Sequence, residues 1–256
     1  MRIFQKGSQG IISLQPKPFA NERELEDAIA ETPDLLVQDG DPPVALVARQ
    51  VRLDAGVLDV LLVDAEGTPV AVEAKLGRNG ESRREVVGQV IDYVSTLTAM
   101  TVDELDRAVG GRLDVALRSL TLGDEADDQF ERLWASVGIN LRAGLARYVV
   151  AIDDPPPDLQ RIVRFLAERS NLRVSLMGIQ RYVDSAGQVI FVPQSNVAGD
   201  KVREAPAAVP KRAPSGDLQA VLDAYGAVDR AGTRHGRPGG QLSEDRATGL
   251  ADYAPL

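Results

Sequence analysis

The hydrophobic positions of this chain change period several times, and each change predicts a different element. Between Asn21 and Leu36 the spacing is helical, with Leu25, Ala28 and Ile29 forming one apolar stripe. Asn21 suits the N-cap, Glu22, Glu24 and Glu26 suit the positive end of the helix dipole, and Thr32-Pro33 ends or bends the helix. Val44 to Leu53 reads as a strand. A hairpin follows, with strands Leu58–Asp64 and Pro69–Lys75, and then a polar, glycine-containing loop from Leu76 to Glu81. Ser82 to Thr98 returns to helical spacing at Val86, Val90, Tyr93, Val94 and Leu97. The first twenty residues show no clear pattern.

Thr101-Val-Asp-Glu104 has the form of a capping box, and residues 102–145 read as two or three helices interrupted around Thr121 to Asp124. Trp134 is expected in the core. A strand–helix–strand alternation then runs through Arg147–Ile152, Pro157–Ser170 and Arg173–Ile179, which implies a second parallel pair added to the sheet. Asp153-Asp154 before three prolines reads as a strand-ending turn rather than a second metal site, and Val189–Val192 as a last edge strand. Beyond Gln194, Ala, Pro, Gly and Arg dominate. The expected organisation is therefore one α/β domain over 1–195 and a largely disordered tail over 196–256. Within the tail, Leu218, Val221, Leu222 and Tyr225 predict a short helix near 217–228.

Composition narrows the chemistry. With 44% apolar residues a substantial core is expected, although aromatics are only 4% and Val, Leu and Ala must fill it. The chain has no cysteine, which excludes disulfides, cysteine-ligated zinc and thiol catalysis. Its one histidine, His235, lies in the tail, so a histidine-centred active site is not expected. No signal peptide or bilayer-spanning apolar run is visible, and the expected location is the cytoplasm, without membrane contact. The net charge is −9, and the tail holds eight basic and eight acidic residues, so the excess falls on 1–195. That balance counts against a broad nonspecific nucleic-acid binder, but not against a nuclease whose metal ions supply positive charge locally.

The candidate chemistry lies on the central hairpin. Glu73 and Lys75 share one face of their strand, and Ala74 takes the other. Asp59 joins them only if paired positions have numbers summing to an even value. A three-residue loop, Ala65-Glu66-Gly67, pairs Asp64 with Thr68 and hence Asp59 with Glu73, and Gly67 supplies the left-handed residue such a loop needs. A two-residue loop would put Asp59 on the wrong face. Two carboxylates so placed form a hard-oxygen site for Mg²⁺ or Mn²⁺, with the Ala74 carbonyl as a further ligand. Lys75 can orient or help deprotonate a water or contact phosphate, Glu22 can accept from a metal-bound water, and Gln89 can hold the nucleophile or the substrate backbone. Arg78, Arg83 and Arg84 flank the site and either grip phosphate or are ordinary solvated arginines paired with Glu81 and Glu85. Val70, Ala71, Val72 and Ala74 make the second strand nearly continuously apolar, as in a strand buried on both faces, where a Glu/Lys pair is costly unless paired or functional. The alternative is structural: a buried Glu–Lys pair bridging strand and helix.

The order Glu22-Arg-Glu-Leu-Glu26, Gly56-x-x-Asp59, Glu73-Ala-Lys75 and Arg84-Glu-Val-Val-Gly-Gln89-Val-Ile-Asp-Tyr93 resembles the PD-(D/E)XK nuclease superfamily over roughly residues 20 to 193. It is similar to the branch that includes mismatch-specific and archaeal-type repair endonucleases. The resemblance implies a restriction-endonuclease-like core, a central mixed β-sheet flanked by helices, here with extra helices inserted and a flexible C-terminal tail. It makes Asp59 and Glu73 metal ligands, Lys75 the catalytic lysine, Gln89 and Tyr93 a Gln-x-x-x-Tyr pair, and Glu22, or alternatively Glu26, the opening glutamate. The implied activity is Mg²⁺-dependent hydrolysis of DNA, in a protein that can pair as a homodimer to reach both strands. Two alternatives stay open: an inactive nuclease-like binding or assembly module whose tail recruits a protein partner, and an RNA-directed nuclease.

Overall fold

The computed structural model describes residues 2–197, apart from 8–9, 79–81, 124 and 185. The expected tail beyond Val197, its helix near 217–228 and His235 lie outside the described residues. The elements run β1 (Ile3–Gly7), β2 (Gly10–Pro16), α1 (Glu22–Glu31), a 3-10 turn (Pro33–Leu36), β3 (Val44–Leu53), β4 (Gly56–Asp64), β5 (Pro69–Lys75) and α2 (Ser82–Ala99). They continue with α3 (Val102–Ala108), α4 (Arg112–Ser119), α5 (Ala126–Arg142), β6 (Arg147–Ile152), α6 (Pro157–Arg169), β7 (Arg173–Val183) and β8 (Val189–Val197). Strands lie in the order β1-β2-β7-β6-β5-β4-β3, with β8 paired to β7 outside that path. β3, β4 and β5 pair antiparallel, whereas β5, β6 and β7 pair parallel. The fold is therefore α/β, a central mixed sheet flanked by helices, with α3, α4 and α5 inserted before β6.

Alternation along the central strands sorts side chains into two apolar layers. Val70, Val72 and Ala74 of β5, with Val149 and Ala151 of β6, face Leu25 and Ile29 of α1 and Phe19, which stacks on Phe191 at 5.9 Å. Ala71, Tyr148, Val150 and Ile152 face the opposite way, beneath Val86, Val90 and Tyr93 of α2 and Leu159 and Val163 of α6. Coverage of both faces explains the unbroken apolar run of β5. No helix of the described residues is long and apolar enough to cross a membrane.

Local chemistry sets the boundaries. The Asn21 side chain accepts from the Glu24 amide at 3.0 Å, and the Thr101–Glu104 capping box is made in both directions. The predicted helix from Asn21 to Leu36 stops at Glu31, and Pro33 opens a separate 3-10 turn, because proline cannot donate to the turn before it. At the β4–β5 turn Gly67 has φ +76, its amide donates to the Asp64 carbonyl at 2.9 Å, and the Asp64 amide donates to the Thr68 carbonyl at 3.1 Å.

Two expectations need correcting. Within the first twenty residues, β1 and β2 pair antiparallel, and β2 meets β7 through Gln15 and Pro16. Phe4, Ile11 and Ile12 of this pair are exposed, so no alternation betrays a buried face. β7 and β8 each run past the predicted ends because they pair with one another through Val183 and Val189. Trp134 packs against the core as expected but stays half-buried, beside Phe130 at 5.8 Å between ring centres.

Candidate active site

β4 and β5 pair from Val63↔Pro69 to Val60↔Val72, and every pair sums to 132, the register the three-residue loop predicts. Beyond that point the ladder is taken over by a side chain: Asp59 Oδ2 accepts from the Ala74 amide at 2.9 Å. Strict alternation also slips here. Leu58 and Leu61 both belong to the α2-side layer, while Val60 and Leu62 belong to the α1-side layer. Asp59 thus stands at the parting of two strands rather than squarely on one face, with α1 packed on one side and α2 on the other.

Around that parting the predicted groups gather. Lys75 Nζ lies 2.8 Å from Glu73 Oε1, and Glu73 is 2% exposed. The other Glu73 oxygen, Oε2, is buried and has no hydrogen-bond partner. Glu22 reaches from the first turn of α1 so that its Oε1 accepts from the Leu76 amide at 3.4 Å. Its charge is felt by Asp59, Glu73 and Lys75 alike. Gln89 projects from α2, and its Oε1 is likewise buried without a partner.

The electrostatics follow from this crowding. Burial and then the Asp59 charge push Glu73 up to about 7, against the pull of Lys75. Burial also raises Asp59, although the Ala74 amide, Lys75 and Gln50 oppose it. For Lys75 burial works downward, but the hydrogen bond and charge of Glu73, with Glu22 and Asp59 behind it, hold the ammonium above its ordinary value. Lys75 is therefore a charged donor at neutral pH.

Other candidates have structural partners. Tyr93 is buried; its hydroxyl donates to the Val57 carbonyl at 2.7 Å, and its ring stacks on Tyr148 at 6.4 Å. The Arg78 guanidinium donates to the carbonyls of Phe19 and Ala20 at 3.0 and 2.7 Å, tying the loop after β5 to the entry of α1. The side chains of Arg83 and Arg84 lie outside the described residues. Asp153 Oδ1 accepts from the Gly77 amide at 2.7 Å, so the Asp-Asp turn anchors the loop below the site. A side chain at Gly77 would meet the Asp154 carbonyl, which makes glycine obligatory for that contact.

Two residues escaped the sequence reading. Gln50 of β3 donates through Nε2 to Glu26 Oε2 at 2.8 Å and to Asp59 Oδ1 at 3.3 Å. A turn placed at Asp54-Ala55, pairing Leu53 with Gly56, would have set Gln50 opposite Asp59. Tyr148 of β6 has a fully buried hydroxyl with no partner, and burial, then Glu73, raise it well above the ordinary tyrosine range. Nothing in an apolar strand pattern announces it.

The donor set can be tested against a hard divalent cation. Among the described residues no group of three or more His, Asp or Glu side chains is placed to hold a metal ion. The site instead offers two repelling carboxylates, one with a buried and unpartnered oxygen, which is the kind of excess negative charge a cation relieves. In donor chemistry, hard carboxylate oxygens of this kind suit such an ion.

No family model matches the chain, and no curated protein matches it. Among solved structures, it is similar to a chain of an EndoMS–double-stranded DNA complex, with 14% identity and a TM-score of 0.30. The likeness covers 68% of this chain and 64% of that one.

Proposed function

We propose that this chain is a metal-dependent nuclease of the PD-(D/E)XK kind, hydrolysing phosphodiester bonds of DNA. One observation carries the reading: Asp59, Glu73 and Lys75 meet where β4 and β5 part, with Glu73 Oε2 buried and unpartnered. Asp59, Glu73 and the Ala74 carbonyl would hold Mg²⁺ or Mn²⁺. Such an ion supplies positive charge for the phosphoryl oxygens and acidifies a water. Lys75, held charged by its neighbours, donates to the attacking water or to phosphate rather than taking a proton. Gln89 presents an acceptor from α2, and Glu22 presents one from α1. Arg83 and Arg84 stand as candidates for the phosphate backbone, and two copies would pair to reach both strands.

The surplus of acid in residues 1–195 favours a second reading, a nuclease-like module that binds a protein and cuts nothing. Cleavage of branched, mismatched and single-stranded DNA, and of RNA, with Mg²⁺ or Mn²⁺ separates the two. Glu73→Ala and Lys75→Ala should each lower cleavage by at least about 1,000-fold while circular dichroism stays native. Wild-type rates in either variant would refute the assignment. A wild-type chain that neither cuts nor binds Mn²⁺ would be the module.

A further inference from the structure

We infer that Gln50 is a positioning residue that fixes the Asp59 carboxylate as a metal ligand, and that β3 is strained to place it. The inference rests on the metal-binding reading of Asp59. Gln50 has φ 49 and is the one non-glycine residue with positive φ among the described residues. That left-handed conformation is cheap for glycine and tolerable for asparagine, but unfavourable for glutamine. The strain has a visible consequence. β3 and β4 pair as Val51↔Leu58 and Arg49↔Val60, which places Gln50 opposite Asp59. Both strands lose alternation at these two residues: Ala48 and Val51 fall in the same layer on one strand, Leu58 and Leu61 on the other. The slip takes both side chains out of the α2-side layer that alternation from Ala48 and Leu61 would give them, and leaves Gln50 exposed and Asp59 half-buried.

What the strain secures is a side chain of one length and one chemistry. The Gln50 amide bridges Glu26 Oε2 at 2.8 Å and Asp59 Oδ1 at 3.3 Å, while the Ala74 amide takes Asp59 Oδ2 at 2.9 Å. Asp59 is thus gripped at both oxygens, which fixes the plane of its carboxylate and leaves a second lone pair on each oxygen. Glu26 is buried, and Arg49 holds the same oxygen at 3.6 Å, so the bridge is anchored at its far end. A neutral amide between two acids also keeps them apart without supplying a competing positive charge. Asparagine would suit the backbone better but is one methylene too short to span the two carboxylates.

The test is Mn²⁺ titration calorimetry of the full chain beside thermal unfolding, for wild type, Gln50→Gly, Gln50→Asn and Glu73→Ala. Relief of the backbone offsets the lost bridge, so both Gln50 variants should unfold within about 4 °C of wild type. Both should bind Mn²⁺ at least about tenfold more weakly, as loss of a ligand's hydrogen-bond partner does. If both keep wild-type affinity while Glu73→Ala loses it, Gln50 does not position Asp59, and the metal reading survives alone. If both unfold much earlier, with affinity falling in step, Gln50 is only a structural bridge and the inference fails. A wild-type chain that binds no Mn²⁺ overturns both.

Discussion

At the closed end of the β4–β5 hairpin, Asp64 is buried to 2% exposure and its Oδ1 accepts from the Glu66 and Thr68 amides at 2.9 and 2.8 Å. At the open end, Glu73 is equally buried, yet one of its oxygens accepts nothing and its nearest neighbours include two further acids. The two carboxylates sit on the same pair of strands and face the same desolvation. Burial raises both, but the turn answers Asp64 with amide donors and the charge of Arg147, whereas Glu73 has one lysine to set against Asp59 and Glu22. A buried acid with a complete set of donors is part of the architecture. One left short of donors beside other acids costs free energy that the fold alone does not recover, and such places are where function concentrates.

The contrast breaks most sharply under substitution. Glu73→Ala should remove cleavage and Mn²⁺ binding together, the loss of at least about 1,000-fold corresponding to about 4 kcal/mol in the barrier. The fold should hold, because the change deletes a charge that repels its neighbours. Asp64→Ala should do the reverse. It strands two amides in the turn, so unfolding should cost about 2–3 kcal/mol less while Mn²⁺ affinity stays at the wild-type value. Calorimetry and urea unfolding on the same two variants measure both halves, and a shared phenotype would erase the distinction between the two ends.

A pH series sharpens the comparison. The sign follows from Glu73 being raised from its ordinary value to about 7 in the folded chain. A raised acid contributes stability that is fully present below its unfolded value and is lost as pH rises through the folded one. The metal-free protein should therefore lose up to about 3 kcal/mol from this group between pH 4.5 and 7.5. Asp59 and Glu26 push in the same direction. Glu73→Gln should flatten that slope, and saturating Mn²⁺ should oppose it. Parallel slopes for wild type and Glu73→Gln in metal-free buffer would mean the carboxylate is not raised.

Much of this arrangement was legible in the chain because it rests on period and turn chemistry. The even-sum register followed from Gly67 at the third loop position, and the two-faced burial of β5 followed from its unbroken apolar run. Less legible was anything set by an exception to the period. β4 drops alternation beside Asp59, and β3 takes a left-handed residue at Gln50, and no pattern of apolar positions encodes either. The β1–β2 hairpin escaped for the opposite reason, since strands that bury little carry no alternation to read. Arg78 was legible as a cation near the site, but not as a clasp on the Phe19 and Ala20 carbonyls, a contact between residues 58 and 59 positions apart.

The smallest expected effect concerns Tyr93, which lies between the two ends in character. Its sequence position suggests a substrate contact, yet its hydroxyl is spent on the Val57 carbonyl at 2.7 Å and the residue is 3% exposed. That bond ties α2 to the start of β4, two residues before Asp59. Tyr93→Phe keeps the stack on Tyr148 and removes only the hydroxyl. Val57 is 45% exposed, so water can reach the carbonyl left behind, and the loss should be about 0.5–1 kcal/mol, or roughly 2 °C in the thermal midpoint. DNA affinity measured by fluorescence anisotropy should stay within about twofold, well under the 1.4 kcal/mol that a tenfold change represents. A tenfold loss of DNA affinity with the midpoint unchanged would return Tyr93 to the substrate-binding group, and would place the hydroxyl's working partner in the nucleic acid rather than in β4.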